Sequence, residues 1–164
     1  MKFFNGFCLN LDKSFFSEYI EDKEFVVVGF SYGAQKAVDY VLNTPHRVDK
    51  LQLLSPAFFD YNQKLIELNL SAFKKNKLNY INNFLKKAGA DEIILNYLDY
   101  SCNENDLYKL FTFNWEKISK IKGIKIEVFL GEFDKILALK KAYGFFKNYA
   151  DVYLIKKANH FLRS

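Results

Sequence analysis

Hydrophobic positions along the chain fall into two rhythms. Near the ends they form short continuous apolar runs. Lys2 to Phe4 is one such run, closed by Asn5-Gly6. FVVVGF, from Phe25 to Phe30, is another, followed by Leu51 to Leu54, KIEVFL from Lys125 to Leu130, and Val152 to Ile155. Runs apolar at every position suit strands buried on both faces, which occur in parallel sheets covered by helices. Between them the spacing turns helical. Ser14 to Ile20 predicts a helix that Ser14 could cap, with Phe15, Phe16, Tyr19 and Ile20 inward. Gly33 to Asn43 carries Ala34, Ala37, Val38 and Val41 on one narrow small-residue stripe, and Leu139 to Phe146 predicts a further helix. Strand and helix alternate at both ends, as in an α/β layered fold. From about residue 58 to 121 only helical patterns occur (LIELNLSAFKKN, LNYINNFLKKAG, ADEIILNYLDY). This stretch is predicted to be a helical insertion over the carboxyl ends of the strands, where ligands of α/β sheets bind.

The length of 164 residues suits one domain, 1–164, and no linker or repeat divides it. No apolar stretch reaches the roughly 18 residues of a membrane span, and the N-terminus lacks the pattern of a signal peptide, so a cytoplasmic protein without membrane contact is expected. Cys8 and Cys102 stand far apart and predict no disulfide framework, and Cys8 reads as a small buried filler. No metal-ligand spacing is present and no cofactor is expected. The net charge of +5 comes mostly from scattered lysines, with only two arginines, Arg47 and Arg163. That pattern matches no nucleic-acid-binding motif and agrees with either a solvated basic surface or an acidic partner.

One segment adds chemistry to this outline. Gly29-Phe30-Ser31-Tyr32-Gly33 matches G-x-S-x-G between a buried strand and a helix. A serine at that sharp turn is forced into a strained conformation, the flanking glycines leave room for the turn, and the hydroxyl is presented above the sheet. The alternative is a tight turn whose serine only caps a helix. A nucleophilic serine needs a base. Of the two histidines, His46 sits in a polar connection, whereas His160 follows the last strand. The acid belongs after an intermediate strand, where GEFDKI offers Asp134, with Glu132 as its rival; Asp151 begins the last strand, far from its carboxyl end. The predicted triad is Ser31, Asp134 and His160. The oxyanion donors are the backbone N–H groups of Tyr32, after the nucleophile, and Phe7, in the turn after the first strand, where Gly6 allows a tight bend.

Together these segments resemble the α/β-hydrolase superfamily. More narrowly, FFNGFCLN, VVGFSYGAQKAV, LQLLSPA, KIEVFLGEFDKI and ANHFL resemble the short, BioV-type pimeloyl-acyl carrier protein methyl ester esterases of biotin synthesis. Against larger members, Gly6 and Ser31 are only 25 positions apart and Asn5 replaces the usual histidine before the oxyanion glycine. This implies a minimal α/β-hydrolase fold of about five mainly parallel strands, the N-terminal strand beside the nucleophile strand, with a helical lid-like insertion. The resemblance implies a serine esterase that hydrolyses the methyl ester of a pimeloyl chain carried on acyl carrier protein. Such a partner is acidic, which gives Lys74, Lys75, Lys77, Lys86 and Lys87 of the insertion and Lys156 and Lys157 near His160 a docking role. The competing expectations are an esterase or thioesterase for another acyl substrate, and a hydrolase-fold binding protein without catalysis.

Overall fold

The computed structural model describes residues 1–11 and 13–164. Five parallel strands run in the order β1 (Lys2–Phe4), β2 (Val26–Phe30), β3 (Lys50–Leu54), β4 (Lys125–Gly131) and β5 (Asp151–Ile155), each beside its successor in the chain. The sequence-based runs therefore pair as expected, with β1 against β2. Register sets the two faces. Phe3 lies beside Val28, Val28 beside Gln52 and Gln52 beside Glu127, so these share one face with Phe30 and Phe129. Phe4, Gly29, Leu53 and Leu130 lie on the other.

The second face is covered by α1 (Tyr32–Asn43), whose Ala34, Ala37 and Val38 are fully buried. Small side chains bring this helix close to the sheet. An added Cβ on Gly29 would stand 2.4 Å from the Gly33 carbonyl oxygen, and one on Gly33 only 2.0 Å from that of Phe4. The glycines of the turn thus admit both the helix and the neighbouring strand. Leu51, Leu53, Leu54 and Val28 are wholly buried between layers, each contributing on the order of 1.5–3 kcal/mol.

On the first face the expected helix from Ser14 to Ile20 is instead a single 3₁₀ turn, Lys13–Phe16, continued by hydrogen-bonded turns through Tyr19. The Tyr19 carbonyl accepts from the Gln52 side chain and the Tyr19 hydroxyl donates to the Leu162 carbonyl, so tertiary partners replace the helical ladder. The inward residues are as expected: Phe16 is buried and its ring meets Phe3 and Phe30. Strand β2 begins one residue later than the apolar run, because Phe25 has φ 63 and leaves the extended region.

Residues between β3 and β4 form α2 (Gln63–Lys75), α3 (Lys77–Ala88), α4 (Glu92–Leu95), α5 (Glu104–Thr112) and a 3₁₀ turn, Trp115–Lys120. This is the predicted insertion, without a strand of its own apart from an isolated bridge between Leu9 and Leu98. Asparagines cap three of its helices and an aspartate the fourth: Asn62, Asn76, Asp91 and Asn103 each accept an N–H of the helix they precede. Helix α6 (Leu139–Phe146) joins β4 to β5. Among the described residues no helix is long and apolar enough to cross a membrane.

Two cysteines correct the sequence reading. Cys8 and Cys102 form a disulfide across a separation of 94 residues. Spacing could not show this, because the pairing depends on the insertion returning to the turn after β1. There Asn10 N–H donates to the Tyr97 carbonyl and Asp99 N–H to that of Cys8, both at 2.9 Å.

Candidate active site

The site lies where β2, β4 and β5 end. Ser31 follows β2 with φ 53 and ψ −115, the strained turn expected of a strand-to-helix elbow. Backbone bonds fix it there. Its N–H donates to Leu54, and its carbonyl accepts from Ala34 and Ala57. Its side chain makes no capping bond to α1, so it is not merely a helix cap. Instead, Oγ stands 2.9 Å from Nε2 of His160. His160 Nδ1 lies 2.7 Å from Oδ2 of Asp134.

Each partner is held by its own loop. Asp134 follows β4, and its Oδ1 accepts the N–H groups of Ile136 at 2.8 Å and Leu137 at 3.2 Å. Burial alone would raise its carboxyl; the charge and hydrogen bond of His160, with the two backbone donors, outweigh that and leave it below the ordinary carboxylate value. His160 comes from the tail after β5. A Cβ on Gly131 would lie 2.2 Å from the Asn159 carbonyl oxygen, so the end of β4 must be glycine for the tail to pass. The Asn159 side chain bonds to the Gly89 carbonyl at 3.1 Å, and the His160 ring packs beside Phe30 with centroids 5.3 Å apart.

The rival groups are elsewhere. Glu132 is exposed and its Oε2 accepts the Lys157 N–H at 2.8 Å. Asp151 sits at the opposite end of β5 beside Lys125. His46 is exposed in the α1–β3 connection.

Tyr32 directly follows the serine, and the Phe7 ring meets the Tyr32 ring with centroids 6.3 Å apart; Phe7 and Tyr32 are exposed by only 2% and 6%. Among the described residues neither backbone N–H donates to a protein acceptor. Buried unpaired N–H groups are rare in folded proteins, and two beside a serine suit a developing oxyanion. Gly6 serves differently from expectation. It is not in the left-handed region; a Cβ there would meet the Phe30 ring at 3.0 Å, and it is Cys8 that takes positive φ, at 55.

Three contacts that the sequence did not indicate fasten the insertion to this site. One is the Cys8–Cys102 bridge. The second is the Tyr32 hydroxyl, which donates to Asp106 of α5 at 3.2 Å; burial, then the Asp106 charge, push that phenol up to about 12. The third is the ring of Phe7 against Phe73 of α2 and Phe84 of α3. Beside them Phe59, Phe84, Phe111 and Ile136 line a cavity of about 240 Å³ with an asparagine-rich rim.

The expected docking lysines divide. Lys74 pairs with Glu104, and Lys77 donates to the Tyr100 carbonyl. Lys86, Lys87 and Lys157 line one hollow, joined by Lys135 and Arg163. Lys75 and Lys156 are exposed outside it. Among the described residues no group of three or more His, Cys, Asp or Glu side chains could hold a metal.

Among solved structures the chain is similar to a lipase-esterase related protein from Clostridium acetobutylicum: TM-score 0.73 at 18% identity, covering 98% of this chain and 86% of that one. The fold is a minimal α/β-hydrolase. MenH from S. aureus gives TM-score 0.61 at 14% identity over 96% of this chain and 85% of that one. An esterase from Exiguobacterium antarcticum gives 0.65 at 16% identity over 82% of this chain, which spans only 58% of that esterase. No family model matches this chain, and neither does any curated protein sequence.

Proposed function

We propose that the protein is a serine esterase whose nucleophile, base and acid are Ser31, His160 and Asp134. The observation that carries this reading is the unbroken relay from hydroxyl to imidazole to carboxylate, at 2.9 Å and 2.7 Å. Two unpaired N–H groups, those of Phe7 and Tyr32, lie beside it. Ser31 attacks the ester carbonyl while His160 takes its proton. His160 returns that proton to the departing alcohol, and water, activated by the same ring, then releases the acid. Asp134 holds the imidazole tautomer and offsets its positive charge. The Phe7 and Tyr32 N–H groups receive the oxyanion. A non-catalytic binding protein would have no use for such a relay.

The substrate proposed is the methyl ester of a pimeloyl chain on acyl carrier protein, cleaved to methanol and a free carboxylate. It is supported by the resemblance of the segments around Asn5, Ser31, Asp134 and His160, by the charge of +5, and by the aromatic cavity beside Phe7. The same relay serves other acyl esters and thioesters, so the choice of substrate rests on those supports. Ser31 and His160 are only 3% and 2% exposed, and the Phe7 ring is packed by Phe73 of α2 and Phe84 of α3. A cytoplasmic setting goes with this reading; there the Cys8–Cys102 bridge would exchange with the thiol pool.

Two experiments test the proposal. A fluorophosphonate probe is expected to label the intact protein and not Ser31→Ala; an unlabelled intact protein refutes the esterase. Incubation with pimeloyl-carrier methyl ester is expected to yield the free acid. Turnover of other esters without that product would replace the substrate and keep the mechanism.

A further inference from the structure

Three distant chain segments bring cations around one hollow beside the acid loop. Lys86 and Lys87 come from the last turn of α3, Lys135 from the loop that bears Asp134, and Lys157 and Arg163 from the tail that bears His160. The hollow measures about 640 Å³. Among the described residues, Lys86, Lys87, Lys135 and Lys157 have no carboxylate within ion-pair distance. Arg163 alone is paired, with Asp91 at 3.1 Å. The one acidic residue on the wall, Asp134, directs its wholly buried carboxylate away to His160.

A convex lysine face is dispersed by water. A concave one concentrates its potential at the centre. The C-terminus of α3 contributes partial negative charge there, so the attraction for an anion comes from the side chains alone. The shape also selects the anion. The acidic surface of a protein is broad and meets a flat patch, whereas a half-open hollow of ligand size receives a small group. Ammonium groups arriving from several directions suit the several charged oxygens of a phosphate.

Lys87 belongs to two sites. It lines the cationic hollow and also the 240 Å³ cavity that includes Phe84 and Ile136. Phe84 touches Phe7 of the oxyanion turn, and Ile136 supplies an N–H to Asp134. A cationic outer chamber and an apolar inner one thus share a wall next to the relay.

We propose that the outer hollow is a phosphate subsite, which holds the phosphate-ester group of the arm that carries the acyl chain while apolar parts of the substrate enter the inner cavity. This deepens the esterase reading and rests on it for the substrate's acyl end.

The test compares Lys86→Glu/Lys157→Glu, two exposed positions, with the parent protein on one acyl methyl ester carried by pantetheine, by phosphopantetheine and by the whole carrier protein. The double variant is expected to raise KM roughly tenfold for both phosphate-bearing substrates, with KM for the pantetheine ester and every kcat within about twofold of the parent. Equal effects on all three substrates, or no effect on any, overturn the subsite. An effect on the carrier protein alone also overturns it, in favour of a protein-docking patch. Calorimetric titration of Ser31→Ala with inorganic phosphate and phosphopantetheine needs no turnover. Saturable heat that the added double substitution abolishes supports the site, and its absence overturns it. Should the parent hydrolyse no ester while that heat is seen and lost on substitution, the esterase reading fails and the subsite stands.

Discussion

Ser31 pays with backbone strain for an Oγ that meets His160 rather than its own helix. Ser31→Ala and His160→Ala are each expected to lower kcat by roughly 10⁴–10⁶, measured on any ester the protein turns over. Asp134→Ala should lose some ten- to a hundredfold less, since the imidazole remains in place. Glu132→Ala should change kcat little, because that carboxylate is bound to the Lys157 N–H outside the relay. The opposite ranking of the two acids would move the acid role to Glu132. Asp134 also has a signature in pH. Its folded value is lowered, so it adds stability that is complete above the ordinary carboxylate value of about 4 and is lost as pH falls through the lower folded value. Unfolding by urea from about pH 6 down to pH 2 should therefore show a loss of stability below about pH 4 that Asp134→Asn lacks. At this scale the sequence was most legible where chemistry restricts residue choice. The elbow spacing and the chain order of serine, acid and histidine pointed to Ser31, Asp134 and His160, which stand in hydrogen-bond contact. Tyr32–Asp106 and Asn159–Gly89 left no trace, because an aspartate at the start of a helix or an asparagine in a tail is ordinary in any sequence.

Elements were legible as far as apolar rhythm defines them. Five runs became five parallel strands with β1 beside β2 as expected, and the insertion is helical as expected. The segment after Lys13 was misjudged because a 3.6-residue pattern also fits a single turn whose rings face a sheet; Gln52 and Leu162, distant in sequence, decided the outcome. Two glycines carry the packing of site elements. Gly33→Ala drives a Cβ into the Phe4 carbonyl oxygen, and an expected loss of about 3 kcal/mol or more would be read from the urea midpoint. Gly131→Ala meets the Asn159 carbonyl, so it should reduce kcat by displacing His160 even where the protein remains folded. The disulfide joins β1's turn to the root of α5. Cys8→Ser/Cys102→Ser, or a reductant, should cost about 4.6 kcal/mol by the loop-closure estimate for a separation of 94 residues, checked by denaturation with and without dithiothreitol.

For the whole molecule, charge is unevenly spent. Lys50 and Lys125 are bound to Glu127 below the sheet, and Lys74, Lys117 and Lys141 each have an acidic partner. The unpaired lysines of the hollow lie at the site's own rim, so electrostatic steering should favour an acidic substrate. Raising ionic strength from about 0.01 M to 0.15 M shortens the screening length from roughly 30 Å to 8 Å, and kcat/KM for a carrier-borne ester should fall while that for a small neutral ester stays level. The Cys8–Cys102 bond also turns residues 8–102 into a covalent ring. Ser31 is inside that ring; Asp134 and His160 are on the stretch that leaves it. A protease that nicks the insertion once between residues 58 and 102 would therefore separate the nucleophile's fragment from that of its partners in sequence but not in mass. The two pieces would migrate as one species until a thiol is added, and a nicked molecule could keep its relay intact.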